Sequence, residues 1–189
     1  MRFSASIFAR LMEPLPRRVV AQIAARHQAE RYDKTFKTWD HLLALSFVQL
    51  SRAESLREVE TRWNAQAHQH YHLGAGRMAR ATFADANLRR PSAAFAEIFE
   101  TLASACGRHL RREGAEMIRL IDSTPIPLDE MCAWAVSNGR IRGLKMHVVY
   151  DPNADCAERI EITPATVNDV EIGVRTPTEA GTVYVFDKA

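Results

Sequence analysis

The sequence contains few cysteines and no long apolar run, and each of these absences excludes a class of protein. The three cysteines are odd in number, widely spaced and without a CxxC pair: Cys106, Cys132 and Cys156. This usage argues against a disulfide framework and for reduced thiols in a cytoplasmic protein. No apolar run reaches about 18 residues, and the N-terminal segment lacks the uninterrupted apolar stretch of a signal peptide. We therefore expect a soluble, cytoplasmic chain without membrane contact.

The chain also lacks internal repeats, low-complexity segments and a Gly/Ser-rich linker, and its charge is divided unevenly. Residues 1–116 contain 18 Lys and Arg against 12 Asp and Glu, whereas residues 117–189 contain 7 against 11. A basic half followed by an acidic half is typical of a polyanion-binding part beside a carboxylate-rich part. A basic solvated face explains the excess in the first half equally well.

Helical signals dominate residues 1–115. Thr38 is a candidate N-cap, and Ser55 with Glu58 forms the pattern of a capping box. Ser92 is expected to cap the longest helix, whose apolar residues recur at three- and four-residue steps. These residues are Phe95, Ile98, Phe99, Leu102, Cys106 and Leu110. We expect them to form one stripe that faces the core.

From residue 116 onward the apolar period changes to that of strands. Strands are predicted for EMIRLID, GRIRGLKMHVVYD, CAERIEITPA and TVYVFD. The turn sequence DPNAD between the second and third strands predicts a hairpin, and VNDVEIGVR predicts a short helix before the fourth. The predicted fold class is therefore α+β, with a helical domain over residues 1–115 and a sheet domain over residues 116–189.

Two of the predicted strands end in an aspartate. Asp122 follows RLI, and Asp187 follows VYVF. If the two strands are parallel neighbours, their carboxylates converge at one end of the sheet, where hard oxygen ligands on rigid elements suit a divalent cation. A pair of Mg²⁺ ions about 3.5–4 Å apart can stabilise both the attacking and the leaving oxygens of a phosphodiester. Spacing alone leaves open the simpler interpretation that each aspartate caps a turn.

The order of these elements is that of a ribonuclease H-like domain, and several motifs carry a more specific resemblance. In the first half the motifs are FARLMEPLP, FKTWDHLLALSFVQLSRAESLREVE, YHLG and TFADANLRRP; in the second half they are LIDSTPI, GLKMHVVYD and YVFDKA. With these motifs the chain resembles the bacterial insertion-sequence transposases of the DDE type, in the fourth insertion-sequence family. The resemblance spans essentially the whole chain and implies an incomplete ribonuclease H-like mixed sheet after the helical domain.

The resemblance implies catalytic and metal-binding roles for both aspartates. Asp122 in LIDST matches the first catalytic aspartate of the family and Asp187 in VFDKA matches the second, with Mg²⁺ or Mn²⁺ as the cofactor. The family's third carboxylate is a glutamate in a downstream Tyr-Arg-Glu-Lys pattern, which these 189 residues do not contain. We therefore expect a partial transposase, truncated before the third carboxylate and inactive alone. For the full-length protein the resemblance implies hydrolysis and strand transfer at insertion-sequence ends, and it leaves a homodimer open.

The arginines around the predicted helix ATFADANLRR are the best candidates for contact with double-stranded DNA. Arg77 and Arg80 precede this helix, and Arg89 and Arg90 end it. With the helix before it, the segment could form a helix-turn-helix-like unit whose arginines bind phosphates beside a groove. A solvated helix with arginines favoured by the dipole at its C-terminus explains the same pattern. The family resemblance favours DNA.

Lys145 and His147 are further candidates for phosphate contact. They match the Lys-x-His strand of the family and, being two residues apart, share one face of the sheet. The pattern is better explained if both side chains simply lie on the solvated or domain-facing side of the strand.

The histidines in HQHYH and the tryptophans have simple structural explanations. Alternate histidines converge on a metal only in a strand, and this segment lies between predicted helices without cysteine or carboxylate partners. The tryptophans are expected in the core or at a domain contact rather than as platforms for bases: Trp39, Trp63 and Trp134.

Two other functions remain open from the sequence. The chain could be a non-enzymatic DNA-binding remnant that is inert or inhibits the full-length transposase. It could also be an unrelated metal-dependent nuclease that is complete at this length.

Overall fold

The computed structural model describes residues 6–31, 33–110, 117–128 and 142–187, with side chains described in these ranges except at 106–110. The chain divides into two compact units, an N-terminal unit of Met1–Phe99 and a C-terminal unit of Glu100–Ala189. The helical region followed by a mixed sheet confirms the predicted α+β class. The predicted domain boundary at residues 115/116 falls within 111–116, which lie outside the described ranges, and it stays a prediction.

Helices make up the described part of the first 110 residues. They are α1 (Ile7–Met12), α2 (Arg17–Arg26), α3 (Thr38–Ser51), α4 (Leu56–Ala65), a 3₁₀ helix (Ala67–Leu73), α5 (Arg80–Arg89) and α6 (Ser92–Leu110). No helix in the described ranges is both long and apolar enough to span a membrane.

Side-chain caps define where two of these helices begin. Ser55 Oγ accepts the Glu58 N–H of α4 at 3.2 Å, and the Glu58 carboxylate accepts the N–H of Glu54 at 2.9 Å. Ser55 therefore caps α4 as predicted. The Glu58 carboxylate binds the N–H of Glu54, and not that of Ser55 as in a standard capping box. At α3 the cap residue is Lys37, whose N–H donates to Asp40 Oδ2 at 2.9 Å. The N-cap of α3 is therefore Lys37, one residue before the predicted Thr38.

Two tryptophans anchor the core of the N-terminal unit. Trp39 donates from Nε1 to the Leu73 carbonyl at 2.8 Å, and Trp63 donates to the Gly76 carbonyl at 2.9 Å. The Trp63 ring is 1% exposed and packs edge-on against Phe47, with ring centroids 5.4 Å apart. Both indoles satisfy their only polar group inside the protein, so their predicted core role is confirmed. Trp134 lies outside the described residues.

The stripe on α6 differs from its prediction. Ala94, Ile98 and Ala103 are its buried residues, whereas the larger Phe95, Phe99 and Leu102 are half-buried. Small alanines allow close packing along the centre of a helix face, and large side chains then lie at its margins. Leu102 is therefore not the fully buried residue that the spacing predicts. The side chains of Cys106 and Leu110 lie outside the described residues.

The C-terminal unit contains a four-stranded sheet in the order β3-β2-β1-β4. Its elements are β1 (Ile118–Pro127), β2 (Gly143–Asp151), β3 (Cys156–Pro164), α7 (Asp169–Arg175) and β4 (Val183–Phe186). β1–β2 and β2–β3 are antiparallel, and β1–β4 is parallel. The hairpin predicted at DPNAD joins β2 to β3, where Asp151 Oδ1 accepts the N–H groups of Asn153 and Ala154.

A buried arginine links three strands on one face of this sheet. Arg119 of β1 is 3% exposed, lies 3.0 Å from the Asp151 carboxylate of β2 and also pairs with Glu158 of β3. Burial acts to lower the pKa of Arg119, but the hydrogen bond and charge of Glu158 and the charge of Asp151 raise it overall. Without those two carboxylates the buried guanidinium would be strongly destabilising.

The opposite face of the sheet is apolar and largely solvent-exposed. Alternation along the paired strands places on it a set of large aliphatic side chains: Leu120, Ile160, Ile162, Val183 and Val185. Their exposed fractions range from 36% for Ile160 to 60% for Val183.

Candidate metal centre on two parallel strands

The register between β1 and β4 brings Asp122 and Asp187 level with each other. Ile121 pairs with Phe186 in the parallel ladder, and each aspartate is the next residue in its chain. Neighbouring strands lie about 4.8 Å apart, and paired residues of parallel strands project on the same side. The parallel pairing predicted from the sequence is therefore present, and it brings the two aspartates side by side at the point where β4 ends. The predicted end of the first strand at Asp122 is wrong, because β1 stays paired with β2 as far as Pro127.

Both aspartates are exposed and line one cleft of about 610 Å³. The cleft is also lined by α7, and its other polar residues include Ser123, His147 and Asp169. Asp122 Oδ1 accepts the backbone N–H of Ser123 at 2.7 Å. This bond orients the Asp122 carboxylate relative to its own strand.

Asp169, at the first position of α7, is the centre of a polar cluster in this cleft. Its carboxylate lies 3.2 Å from Lys145 Nζ and 3.3 Å from His147 Nδ1. His147 Nε2 lies 2.9 Å from Thr163 Oγ1 of β3. The sequence analysis did not predict this cluster, although the position of Asp169 beside the helix cap Asn168 was a usable signal.

The ionisation of this cluster follows from burial and from its neighbours. Burial acts to raise the pKa of Asp169, but hydrogen bonds from Ser123 and Lys145 and the charge of Lys145 lower it below its usual value. Burial lowers the pKa of His147, and the charge of Asp169 opposes this shift without cancelling it. A neutral His147 that donates from Nδ1 to Asp169 and accepts at Nε2 from Thr163 satisfies every contact in the cluster.

Asp122 and Asp187 fit a magnesium ion. Mg²⁺ is commonly held by one or two carboxylates together with substrate phosphates and water, and Asp122 and Asp187 supply two hard oxygen donors on rigid strands. Within the described ranges no group of three His, Cys, Asp or Glu side chains could hold a metal. The Asp169 carboxylate instead faces Lys145 and His147, so the candidate ligand set is Asp122 with Asp187.

The four candidate DNA-binding arginines occupy different environments. Arg77, Arg80 and Arg89 are exposed. The side chain of Arg90 is 2% exposed and donates to Asp33 Oδ2 at 2.6 Å and to the Lys37 carbonyl at 3.0 Å. A guanidinium in this position cannot reach a phosphate without leaving the core.

The connection between α4 and α5 is longer than that of a helix-turn-helix. It runs over residues 66–79 and contains the 3₁₀ helix, whereas the helix-turn-helix motif joins its helices by a three- or four-residue turn. The helix-turn-helix-like unit that the sequence predicts from α4 and α5 therefore lacks the short turn that this motif requires. Arg77 lies in the connection, and Arg80 is the first residue of α5.

Lys145 and His147 face into the protein. Lys145 donates to the Val167 carbonyl at 3.3 Å and pairs with Asp169, and the His147 side chain is 4% exposed. Their shared face is the one covered by α7. The domain-facing explanation of the Lys-x-His pattern therefore agrees with their positions better than a phosphate contact does.

The three histidines of HQHYH do not converge. They lie on the 3₁₀ helix, where His70 is 4% exposed and stacks against Trp63, while His68 and His72 are exposed. Burial lowers the pKa of His70, which keeps the ring neutral in this position.

Two family models match separate parts of the chain. Residues 113–189 match the family described as Transposase DDE domain. Residues 4–76 match a domain of unknown function, DUF4372. The first match contains β1 to β4 and therefore both Asp122 and Asp187.

A curated protein supports the same relationship. The chain is 61% identical over 105 residues to a protein described as "Putative transposase y4zB" from Sinorhizobium fredii. The alignment covers 56% of this chain, which spans 30% of the length of that relative. No solved structure matches the chain significantly. The Transposase DDE domain and this relative are both similarities to transposases, in agreement with the resemblance carried by the motifs.

Proposed function

We propose that this chain is part of a cytoplasmic DDE transposase of the fourth insertion-sequence family, which acts on the double-stranded DNA ends of an insertion sequence. In this proposal Asp122 and Asp187 hold a divalent cation for hydrolysis and transfer of a phosphodiester. The observation that carries the proposal is the parallel, in-register pairing of β1 with β4. It brings two carboxylates together within a segment that matches a transposase domain.

The residues of the chain have separate roles in this chemistry. Asp122 and Asp187 provide the negative charge that binds Mg²⁺ or Mn²⁺, and their exposure allows a DNA phosphate to approach. The Ser123 N–H orients the Asp122 carboxylate through the 2.7 Å bond. When bound, the ion supplies charge neutralisation and Lewis-acid activation at the phosphate.

Binding of Mn²⁺ to the chain tests the metal site directly. We expect weak binding that weakens by at least about tenfold in Asp122→Asn and in Asp187→Asn, because loss of a direct ligand should cost no less than loss of an outer-shell partner. Electron paramagnetic resonance of free Mn²⁺ measures the affinity. Asp85→Asn is the matched control, since Asp85 is an exposed aspartate on α5. Equal affinity of all four proteins would exclude this site.

A DNA-binding remnant without catalysis is the second candidate function, supported by the exposed Arg77, Arg80 and Arg89. We expect this chain to bind DNA without strand transfer, because its candidate ligand set holds two carboxylates. The measurement is cleavage and strand transfer of a matched insertion-sequence end with Mg²⁺ or Mn²⁺. Activity that disappears in Asp122→Ala would show instead that two carboxylates are sufficient.

A further inference from the structure

A second cleft, of about 440 Å³, lies in the N-terminal unit and has no part in the proposed metal chemistry. It is lined by residues of α1, the start of α2, α3 and the 3₁₀ helix, among them Arg10, Arg17 and Tyr71. Arg10 belongs to FARLMEPLP and Tyr71 to YHLG, two motifs for which metal binding gives no role. The volume of the cleft is within the range of pockets that hold small ligands.

Packing holds the Arg17 side chain in this cleft, although the residue is exposed. Its guanidinium carbon lies 5.6 Å from the centroid of the Trp39 ring, which the bond to the Leu73 carbonyl fixes in turn. A Cβ added to Gly74 would lie 2.1 Å from Arg17 Nη1, so a larger residue at position 74 would displace the guanidinium. The structure therefore positions a cation at the surface of the cleft.

The charge of the two arginines is only partly balanced. In the described ranges neither Arg10 nor Arg17 forms an ion pair with a carboxylate. The charge of Arg17 acts on Asp40, but Asp40 Oδ2 already accepts the N–H of Lys37 at 2.9 Å. Glu13 is an exposed carboxylate that also lines the cleft. Two guanidinium groups beside this one carboxylate leave an excess of positive charge, which favours an anionic ligand.

Tyr71 adds an aromatic surface to the same cleft. It is 87% exposed, and its ring meets the His72 ring edge-on with centroids 5.6 Å apart. Proteins that bind single-stranded nucleic acids combine basic residues at the phosphates with aromatic rings on which bases stack. In a duplex the base faces are covered by neighbouring base pairs, so an aromatic ring stacks only on a base that is unpaired or extruded.

We propose that this cleft binds single-stranded DNA, with Arg10 and Arg17 at its phosphates and Tyr71 stacked on one base. This binding goes beyond the proposed function, because it requires neither a metal ion nor Asp122 and Asp187, which belong to the other unit. The choice of DNA over RNA alone rests on the proposed function.

The first test measures base stacking by fluorescence anisotropy of a labelled oligothymidine about 12 nucleotides long, in the presence of EDTA. Tyr71→Ala should weaken binding by about 5- to 150-fold, the usual effect of losing one stacked base. Tyr71→Phe keeps the ring and should bind within about twofold of the unmodified chain. Leu88→Ala removes another exposed side chain as the matched control.

Two further ligands show whether Tyr71 acts on a base. An abasic strand of the same length has the phosphates without the bases, and a duplex has bases whose faces are covered. Tyr71→Ala should therefore leave the affinity for either ligand unchanged. A general loss of packing in this variant would weaken the binding of all three ligands.

The second test measures phosphate contact by the salt dependence of oligothymidine binding. Each contact to a single strand contributes about 0.7 to the slope of log affinity against log salt concentration, so Arg10→Ala with Arg17→Ala should lower its magnitude by about 1.4. Glu13→Gln should strengthen binding, because it removes a carboxylate from the cleft. Arg57→Ala, at an exposed arginine of α4, is the control and should leave the slope unchanged.

Each outcome supports or overturns the inference. Equal weakening of all ligands by Tyr71→Ala would overturn the stacking role, and so would an unchanged affinity for oligothymidine. An unchanged slope in the double arginine variant would overturn the phosphate contact; if that variant does not fold, Arg10→Ala and Glu13→Gln decide. Tighter binding of oligouridine than of oligothymidine would overturn the choice of DNA. Because EDTA is present throughout, none of these results depends on the Mn²⁺ binding that tests the proposed function.

Discussion

At the scale of single residues, Arg90 is held inside the N-terminal unit by several acceptors. Its guanidinium donates to the Asp33 carboxylate and to the Phe36 and Lys37 carbonyls, and it lies over the Phe36 ring at 5.2 Å. Removing one partner of a buried ion pair leaves the other charge without compensation. The stability of the unit should therefore depend on Arg90 far more than on its exposed neighbour Arg89.

We expect Arg90→Ala to lower the free energy of unfolding by about 3–5 kcal/mol, as is usual when one partner of a buried pair is removed. Arg89→Ala should cost less than about 1 kcal/mol, because the Arg89 side chain is 54% exposed and pairs with Asp33 at 3.3 Å. Urea denaturation in a Trp134→Phe background measures both, since fluorescence then comes from Trp39 and Trp63. Similar small losses in the two variants would contradict the core role of Arg90.

His41 makes the stability of the same unit depend on pH. Its ring is 2% exposed and packs against Phe83 and Phe95, and its Nε2 lies 2.7 Å from Asn87 Oδ1. Among the described residues, His41 Nδ1 has no hydrogen-bond partner. Burial is the main reason that the pKa of His41 is lowered to about 4. Protonation of the neutral His41 ring would place a proton on Nδ1, which is buried and has no acceptor among the described residues.

Stability should fall as the pH decreases from about 6.5 to about 4, since over this window the unfolded chain binds a proton at His41 that the folded chain does not. The loss attributable to His41 is at most about 3 kcal/mol. Urea denaturation at pH 7 and pH 4.5 measures it, and His41→Gln serves as the comparison. The prediction fails if the variant and the unmodified chain lose equal stability over this interval.

At the scale of elements, the start of β2 requires a glycine. A Cβ added to Gly143 would lie 2.1 Å from the Ile126 carbonyl oxygen of β1, and such a contact with backbone cannot be relieved by a side-chain rotation. The two strands are paired at this point, where Gly143 is the partner of Pro127. An added methyl group must therefore displace one strand from the other.

We expect Gly143→Ala to destabilise the β1–β2 pairing by about 1–3 kcal/mol, the usual cost of overpacking. Gly173→Ala is the matched control, because Gly173 lies in α7 and a Cβ there meets no atom within 4 Å. Alanine in a helix should stabilise by about 0.5–1 kcal/mol. Amide hydrogen exchange measures the stability of β1 and β2 in both variants. Equal exchange rates in these strands would show that they tolerate the methyl group at residue 143.

At the scale of the whole molecule, the uneven charge predicts salt-dependent binding to DNA. Residues 1–116 have the excess of basic residues, and Arg77, Arg80 and Arg89 are exposed among them. Each phosphate that a protein neutralises releases condensed counterions from the duplex. The affinity of the chain for DNA should therefore decrease as the salt concentration rises.

Replacing Arg77, Arg80 and Arg89 together by alanine should flatten the plot of log affinity against log salt concentration. Each phosphate contact that is lost should reduce the magnitude of the slope by about 0.9. Fluorescence anisotropy of a labelled duplex over a salt series measures the slope. The double variant Arg159→Ala, Arg175→Ala removes exposed basic side chains from the acidic half as a control. A slope that changes only in this control would place the DNA contact in the C-terminal unit.

Prediction from the sequence succeeded where one local pattern determines the structure. Alternating and branched apolar residues specify strands, and DPNAD specifies the turn between β2 and β3, because these preferences act within a few residues. The cap at Ser55 is local in the same sense, since its bond to Glu58 spans three residues. The stripe on α6 was only partly predicted, because helical spacing does not show that Ala94 and Ala103 pack more closely than Leu102.

The sequence by itself determined the α+β class and the two strands that position Asp122 and Asp187, although β1 extends to Pro127, beyond its predicted end. Only the tertiary structure decided the partners of the charged residues. Arg90 pairs with Asp33, 57 residues away, and Lys145 pairs with Asp169, 24 residues away. The periodicity of a single helix or strand therefore does not predict either pair. An arginine at a helix end has the same local sequence whether it faces solvent or a buried carboxylate. Long-range packing sets the burial of each charge, and burial with its partners determines which charges remain available to a ligand.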